Sequence, residues 1–257
     1  MELNPPAQYA DDRNLRARQR LWQYQRPFFD IAAWVLDMAG LAAGMRVLDA
    51  GCGNGTYLRA LRERGMWAAG CDLSMGMLRA VSQHALFNAN VTALPVRDNA
   101  FDVVLAAHML DLVPDRQPAI HELRRVLVPG GTCVVVANGP QHLRSLRNLA
   151  ERAGSKGTPG WQMRSPGADR FTGERAAAQL SAAFHSVTCV RASANPVVIE
   201  DAGVAADYVA SMADHYHDEI ARPWRDVVED VRHEVNAVIN EEGAFITAGD
   251  LAAFVCR

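Results

Sequence analysis

The chain has 257 residues, a formal net charge of −3 and 49% hydrophobic residues. That length fits one elaborated domain, or a domain with a cap, and the charge offers no basic surface of the kind nucleic acids select. No apolar stretch reaches the length of a bilayer span, so no membrane partner is expected, and the first residues lack the basic start and apolar core of a secretion signal. The chain opens on helices: residues 11–40 read as helical, with a second helix from Pro27 carrying Ile31, Trp34, Val35 and Met38 at helical spacing up to Gly40. Strand and helix then alternate. Strands are predicted at 45–50, 66–72, 91–93, 101–107 and 132–137, with helices at 56–64, from Ser74 to about 87, and at 117–127. Residues 101–107 are continuously apolar, as suits a strand buried on both faces. This alternation predicts an α/β fold with a doubly wound, mostly parallel sheet. The second half is less regular: helices at 141–153, 174–184, 202–213 and 224–240, a strand at 187–192, and a Gly/Pro/Ser-rich loop at 154–167. Residues 244–247 and 251–256 read as a final hairpin or as one broken strand.

The chemistry starts at the end of the first strand, Val47-Leu48-Asp49-Ala50, which turns through Gly51-Cys52-Gly53-Asn54-Gly55. The dinucleotide fingerprint is Gly-x-Gly-x-x-Gly and brings backbone up to a pyrophosphate. Here the third glycine comes one residue early and an acid precedes the first. That acid repels a pyrophosphate and suits a ligand with positive charge, such as S-adenosylmethionine, which carries a sulfonium and an ammonium. Asp72 ends the second strand about 20 residues later, where an acid accepts both ribose hydroxyls of an adenosine. Downstream come Asn90-Val91-Thr92-Ala93-Leu94-Pro95, then Asp98-Asn99-Ala100-Phe101-Asp102-Val103-Val104, and finally Leu127-Val128-Pro129-Gly130-Gly131.

With these five ordered elements, residues 46–136 resemble the class I S-adenosylmethionine-dependent methyltransferases, closest to the small-molecule branch of ubiquinone and menaquinone methyltransferase-like proteins. The resemblance implies a seven-stranded Rossmann-like methyltransferase fold and S-adenosylmethionine as cofactor. It places Asp49, Gly51 and Gly53 around the methionine part, Asp72 at the ribose, and Leu73 and Met77 near the adenosine. Asn90 stands where the family has Asp to accept from the adenine amino group, and an amide oxygen accepts the same bond. Val91 lies at the adenine ring, and Ala107 and His108 lie toward the sulfonium. Asp102 is expected to brace a loop. Tyr9 is expected in a lid that closes over the cofactor, while Trp22 reads as packing.

Methyl transfer is a displacement that needs alignment more than a catalytic triad, and a base is needed only where the acceptor arrives protonated. His108 and Asp111 are the candidate catalytic pair for positioning the acceptor, because they follow the fourth strand's end. His142, Trp161, His215, Tyr216 and His217 are further candidates for acceptor contact. His215 and His217, two residues apart, do not share a helix face and so make no metal pair. The five cysteines form no Cys-x-x-Cys pair and no zinc-like cluster, so no metal is expected and the setting is a reduced cytoplasm. The partition is a helical lid at 1–40, a cofactor domain at 41–200, a helical cap at 201–243 and the last strand or strands at 244–257. The expected partner is a small-molecule acceptor methylated on nitrogen or oxygen, in the biosynthesis of a metabolite. Two other readings stay open: a nicotinamide-dependent oxidoreductase on a Rossmann-type fold, and a non-catalytic S-adenosylmethionine-binding protein.

Overall fold

A computed structural model describes residues 7–82, 85–163, 171, 173–192 and 195–257. Its centre is a seven-stranded sheet built from β1 (Val47–Ala50), β2 (Ala68–Asp72), β3 (Ala85–Asn88), β4 (Phe101–Ala107), β5 (Leu127–Asn138), β6 (Val187–Arg191) and β9 (Leu251–Cys256). The order is β3-β2-β1-β4-β5-β9-β6, and only β9 runs antiparallel to its neighbours. The doubly wound, mostly parallel sheet expected from the strand–helix alternation is therefore present. The strand order reverses between β1 and β4, which run parallel, and ligands settle at such a switch point in open α/β sheets.

One sheet face packs Leu48, Val104, Ala106 and Val135 against α5 (Arg116–Arg125) and α7 (Gly173–Leu180). The other packs Val47, Val103, Leu105 and Val134 against α2 (Ile31–Met38) and α3 (Thr56–Glu63). Both-face burial is why β4 reads as an unbroken apolar run. Asp102 near its start braces the loop before β1, as expected, accepting the Arg46 amide at 2.7 Å and the guanidinium Nε at 3.0 Å.

Three local expectations are corrected. The helix capped by Ser74 is a single turn, α4 (Met75–Leu78), rather than one running to about 87. Residues 85–88 form β3, because Ala85, Leu86, Phe87 and Asn88 pair in parallel with residues 69–72. The predicted strand at 91–93 is a turn: Asn90 Oδ1 accepts the Thr92 amide at 3.0 Å and its carbonyl accepts from Ala93 at 3.0 Å, the side-chain turn Asn favours. Residues 244–247 and 251–256 form neither a hairpin nor one broken strand. β8 (Phe245–Ala248) pairs with β7 (Pro196–Ile199) in a separate two-stranded sheet, while β9 enters the main sheet.

The first helix, α1 (Arg13–Leu21), stops well before Pro27, and α2 starts at Ile31, where Asp30 accepts the Ala33 amide at 2.9 Å. Between them Gln25 bridges Val197, so the connection becomes an extra edge for β7. A second core joins α6 (Arg144–Ser155), α8 (Ala202–Ala210) and α10 (Trp224–Glu242) with Leu21, Val197 and Phe245. This cluster draws on residues on both sides of 201–243. Of the loop expected at 154–167, residues 164–167 lie outside the described residues.

Candidate functional site

The C-terminal ends of β1, β2 and β4 open into a cavity of about 830 Å³. Its floor is the turn after β1. Gly51, Gly53 and Gly55 take φ of +73°, +52° and +81°, a region open to glycine without strain. Space is equally restrictive: a methyl on Gly51 would lie 2.8 Å from Met109 Cβ, and one on Gly53 3.1 Å from Leu15 Cδ2. The turn is therefore bare backbone held between the β4 loop and α1.

Asp49 stands behind this turn and is not part of the cavity wall. It is 1% exposed, and neither carboxylate oxygen has a hydrogen-bond partner among the described residues. Burial, with the charge of Asp72 added, pushes its carboxyl up to about 7. A buried acid without partners is costly, and its ionised form is relieved by a cation placed at the turn. Asp72 does reach the wall. Its Oδ2 accepts the Gly53 amide at 2.9 Å and its Oδ1 the Ser74 amide at 2.8 Å, so it ties the glycine turn to α4. Burial raises its carboxyl, and these amides pull it back. The bare turn, the buried acid and the strand-end acid fit a cationic adenosine ligand and do not fit a pyrophosphate.

Leu73, Met77, Asn90, Val91, Ala107 and His108 also face this cavity. Asn90 does so with its amide oxygen already accepting from Thr92, so its expected bond to an adenine amino group uses the remaining lone pair. Tyr9 joins them from the N-terminal segment. Ser74 Oγ donates to the Tyr9 carbonyl at 2.6 Å, and Arg18 Nη1 donates to the Tyr9 hydroxyl at 3.0 Å. The segment is thereby latched onto α4, directly over the Asp72 end.

The far end is built by the cap. His108 sits just past β4 with φ +55°, its amide donating to Val136 at 2.9 Å. Burial pushes its imidazole down to about 4, against the neighbouring Asn138. His142 is pushed to about 3 by burial and then by His108. Both rings are neutral at pH 7. Asp111 lies in the short helical turn Leu110–Leu112 on the same wall, its carboxyl raised by burial. His215 and Tyr216 reach the cavity, and His215 is hydrogen-bonded to Gln8. Two candidates fall outside it. Trp161 packs edge-on against Tyr216 and Trp224, at 5.6 and 6.0 Å between centroids, and donates to Glu219. His217 is exposed beside Asp218. Trp22, read as packing, does pack on the cap core, but it also lines the cavity and lies 5.2 Å from the His142 ring.

Sequence reasoning missed Arg18, Asn138, Arg147, Tyr208 and Met212, all on the wall. One signal was present: Arg147 lies four residues after Leu143 and three before Ala150, on the buried stripe of α6. Among the described residues no group of three or more His, Cys, Asp or Glu is placed to hold a metal ion.

Residues 48–135 match the family model described as a methyltransferase domain. A demethylmenaquinone methyltransferase of Renibacterium salmoninarum is 35% identical over 105 residues, which are 39% of this chain and 44% of that protein. A ubiquinone biosynthesis O-methyltransferase of Alkalilimnicola ehrlichii is 33% identical over 131 residues, 45% of this chain and 53% of that protein. The chain thus spans about half the length of the curated relatives it matches, and the family model runs from β1 into β5. Among solved structures, one described as a candidate methyltransferase from an antibiotic biosynthesis pathway of Anabaena variabilis superposes with a TM-score of 0.61 at 16% identity, over 87% of this chain and 95% of that one. The [4+2]-cyclase SpnF superposes with a TM-score of 0.51 at 20% identity, over 88% and 79%. These likenesses are of fold; the second protein's name shows that the fold alone does not choose the reaction.

Proposed function

We propose that this chain, built around a methyltransferase domain, transfers a methyl group from S-adenosylmethionine to a nitrogen or oxygen of a small-molecule acceptor. The observation that carries the reading is Asp49, a buried acid with both oxygens unpartnered behind a glycine turn that lies bare against the cavity. S-adenosylmethionine, when bound, supplies an electrophilic methyl on a cationic sulfur. Gly51, Gly53 and Ala107 would hold its methionine end, Asp72 its ribose, and Leu73, Met77, Asn90 and Val91 its adenine. The N-terminal segment through Tyr9 serves as a lid. It excludes water from the reacting centre, which strengthens the electrostatics of the site.

The remaining work is alignment. His108 lies between the cofactor end and the cap, so it and Asp111 serve as the residues that position the acceptor. His108 and His142, both neutral, are able to take a proton from an acceptor hydroxyl or ammonium. The unpaired cysteines fit a reducing, cytoplasmic setting.

Titration calorimetry with S-adenosylhomocysteine tests this. A one-to-one complex of micromolar affinity is expected, followed by label transfer from methyl-labelled S-adenosylmethionine to members of a panel of phenols, amines and acids. Absence of binding by the folded chain sinks the reading. Binding without transfer to any acceptor class turns it into that of a cofactor-binding protein with other chemistry.

A further inference from the structure

The cap end of the cavity holds a cation with an unused donor. Arg147 Nε is buried and has no hydrogen-bond partner among the described residues, while Nη2 donates to the Met163 carbonyl at 3.1 Å. No described carboxylate pairs with this guanidinium. The other arginine on the wall, Arg18, is fully engaged: Nε donates to Ser211 Oγ, Nη1 to Tyr9, and Nη2 to Gln8 and the Ser211 carbonyl. The acids on the wall, Asp72, Asp111 and Asp115, all follow β2 and β4 on the sheet side. His142 lies near both His108 and Arg147, and it is neutral. One uncompensated positive charge therefore sits at the cap end, beside Met163 and Tyr208, with Trp22 and Met212 lining the same cavity.

Resting on the methyltransferase reading of this cavity, we propose that the acceptor is an apolar molecule bearing a carboxylate, received by the guanidinium of Arg147, which lines the wall. The guanidinium is a planar donor fork: Nη2 keeps one of its two hydrogens after the bond to Met163, and Nη1 adds two more. A carboxylate matches such a fork with two parallel bonds and one charge. A phosphate monoester carries a second charge, and no second uncommitted cation lies here among the described residues to meet it. The aromatic and thioether side chains take the apolar body. Anchored at Arg147, the molecule extends past His142 toward His108 and the glycine turn, so the anchor sets which of its atoms meets the methyl group. Arg147 acts as a positioning residue and takes no part in bond making.

The test uses the full chain saturated with S-adenosylhomocysteine and reads binding, not turnover. The probes are benzoate, 4-phenylbutanoate and decanoate, each beside its carboxamide, with phenyl phosphate as a dianion. At least one acid is expected to bind tenfold or more tighter than its amide, a difference of about 1.4 kcal/mol. Arg147→Gln is expected to abolish the preference, Arg147→Lys to keep part of it, and both to leave the S-adenosylhomocysteine affinity unchanged. If Arg147→Gln folds poorly, Arg147→Met, which keeps the apolar stem, makes the same comparison. The proposal is overturned if no acid binds, if amides match acids, if phenyl phosphate outcompetes every acid, or if the preference survives removal of the guanidinium. Failure of S-adenosylhomocysteine itself to bind is read in a separate titration and counts against the methyltransferase reading instead.

Discussion

Gly51 shows how a single hydrogen in place of a methyl determines a site. Its φ of +73° is costly for any other residue, and the added Cβ would meet Met109 Cβ at 2.8 Å and Cγ at 2.9 Å. Gly51→Ala is expected to lower stability by about 1–3 kcal/mol, the cost of strain and overpacking together. It should also weaken S-adenosylhomocysteine binding at least tenfold. Denaturant melts and calorimetry check the two effects separately, and an alanine variant with unchanged affinity would show that the turn does not carry the ligand. At this scale the strand-end part of the candidate site was readable, because Asp49, Gly51, Gly53 and Asp72 stand in a fixed local order that the β1 and β2 strand ends impose. The acceptor half was not. Arg147 comes from α6, Tyr208 from α8 and Met212 from the turn after α8, so their meeting depends on tertiary packing, and each alone looks ordinary.

Elements were legible where one pattern dominated. β4 is buried on both faces and matched its expected bounds, whereas β3 is an edge strand of four residues, half exposed, with little periodicity to reveal it. β7 was missed and β8 was read with the wrong partner, because the pairing is remote in sequence: Pro196–Ile199 pairs with Phe245–Ala248. The short α4 has a consequence of its own. Gly76 sits under the Ala10 carbonyl so closely that any side chain would overlap it, and Ser74 holds the next carbonyl back at 2.6 Å. A single turn with a glycine is what lets the N-terminal segment lie flat over the cofactor end. Gly76→Ala is therefore expected to lift residues 7–12 from α4 without disturbing the sheet. Limited proteolysis should cut that segment faster in the variant. S-adenosylhomocysteine should dissociate several-fold faster, while the melting temperature moves little. Equal proteolysis rates would mean that the segment is not a lid.

Across the whole molecule, the buried titratable groups act in opposite directions. His108 and His142 are held neutral by burial, down to about 4 and about 3, whereas an imidazole in the unfolded chain gains its proton near 6.5. They therefore support the fold above that pH, and their contribution fades as the pH drops toward 4. Asp49 does the reverse. Its folded carboxyl titrates at about 7, and its unfolded one near 3.9. Below pH 4 both states are protonated and nothing is lost. As the pH climbs to 7 the unfolded chain sheds a proton that the fold retains, so stability falls with rising pH, by up to a few kcal/mol. A cation at the glycine turn reverses that penalty by favouring the ionised acid. Binding of S-adenosylmethionine at pH 6.5 should therefore release a fraction of a proton, and the neutral sulfur of S-adenosylhomocysteine should release less. Calorimetry in buffers of different ionisation enthalpy measures that release directly. Asp49→Asn should abolish it, weaken S-adenosylmethionine more than S-adenosylhomocysteine, and make the ligand-free chain more stable at pH 8. No proton release in the parent chain, or equal release from the Asn variant, would separate Asp49 from the cofactor's charge. The negative field behind the turn would then need another source, for which Asp72 is the nearest candidate.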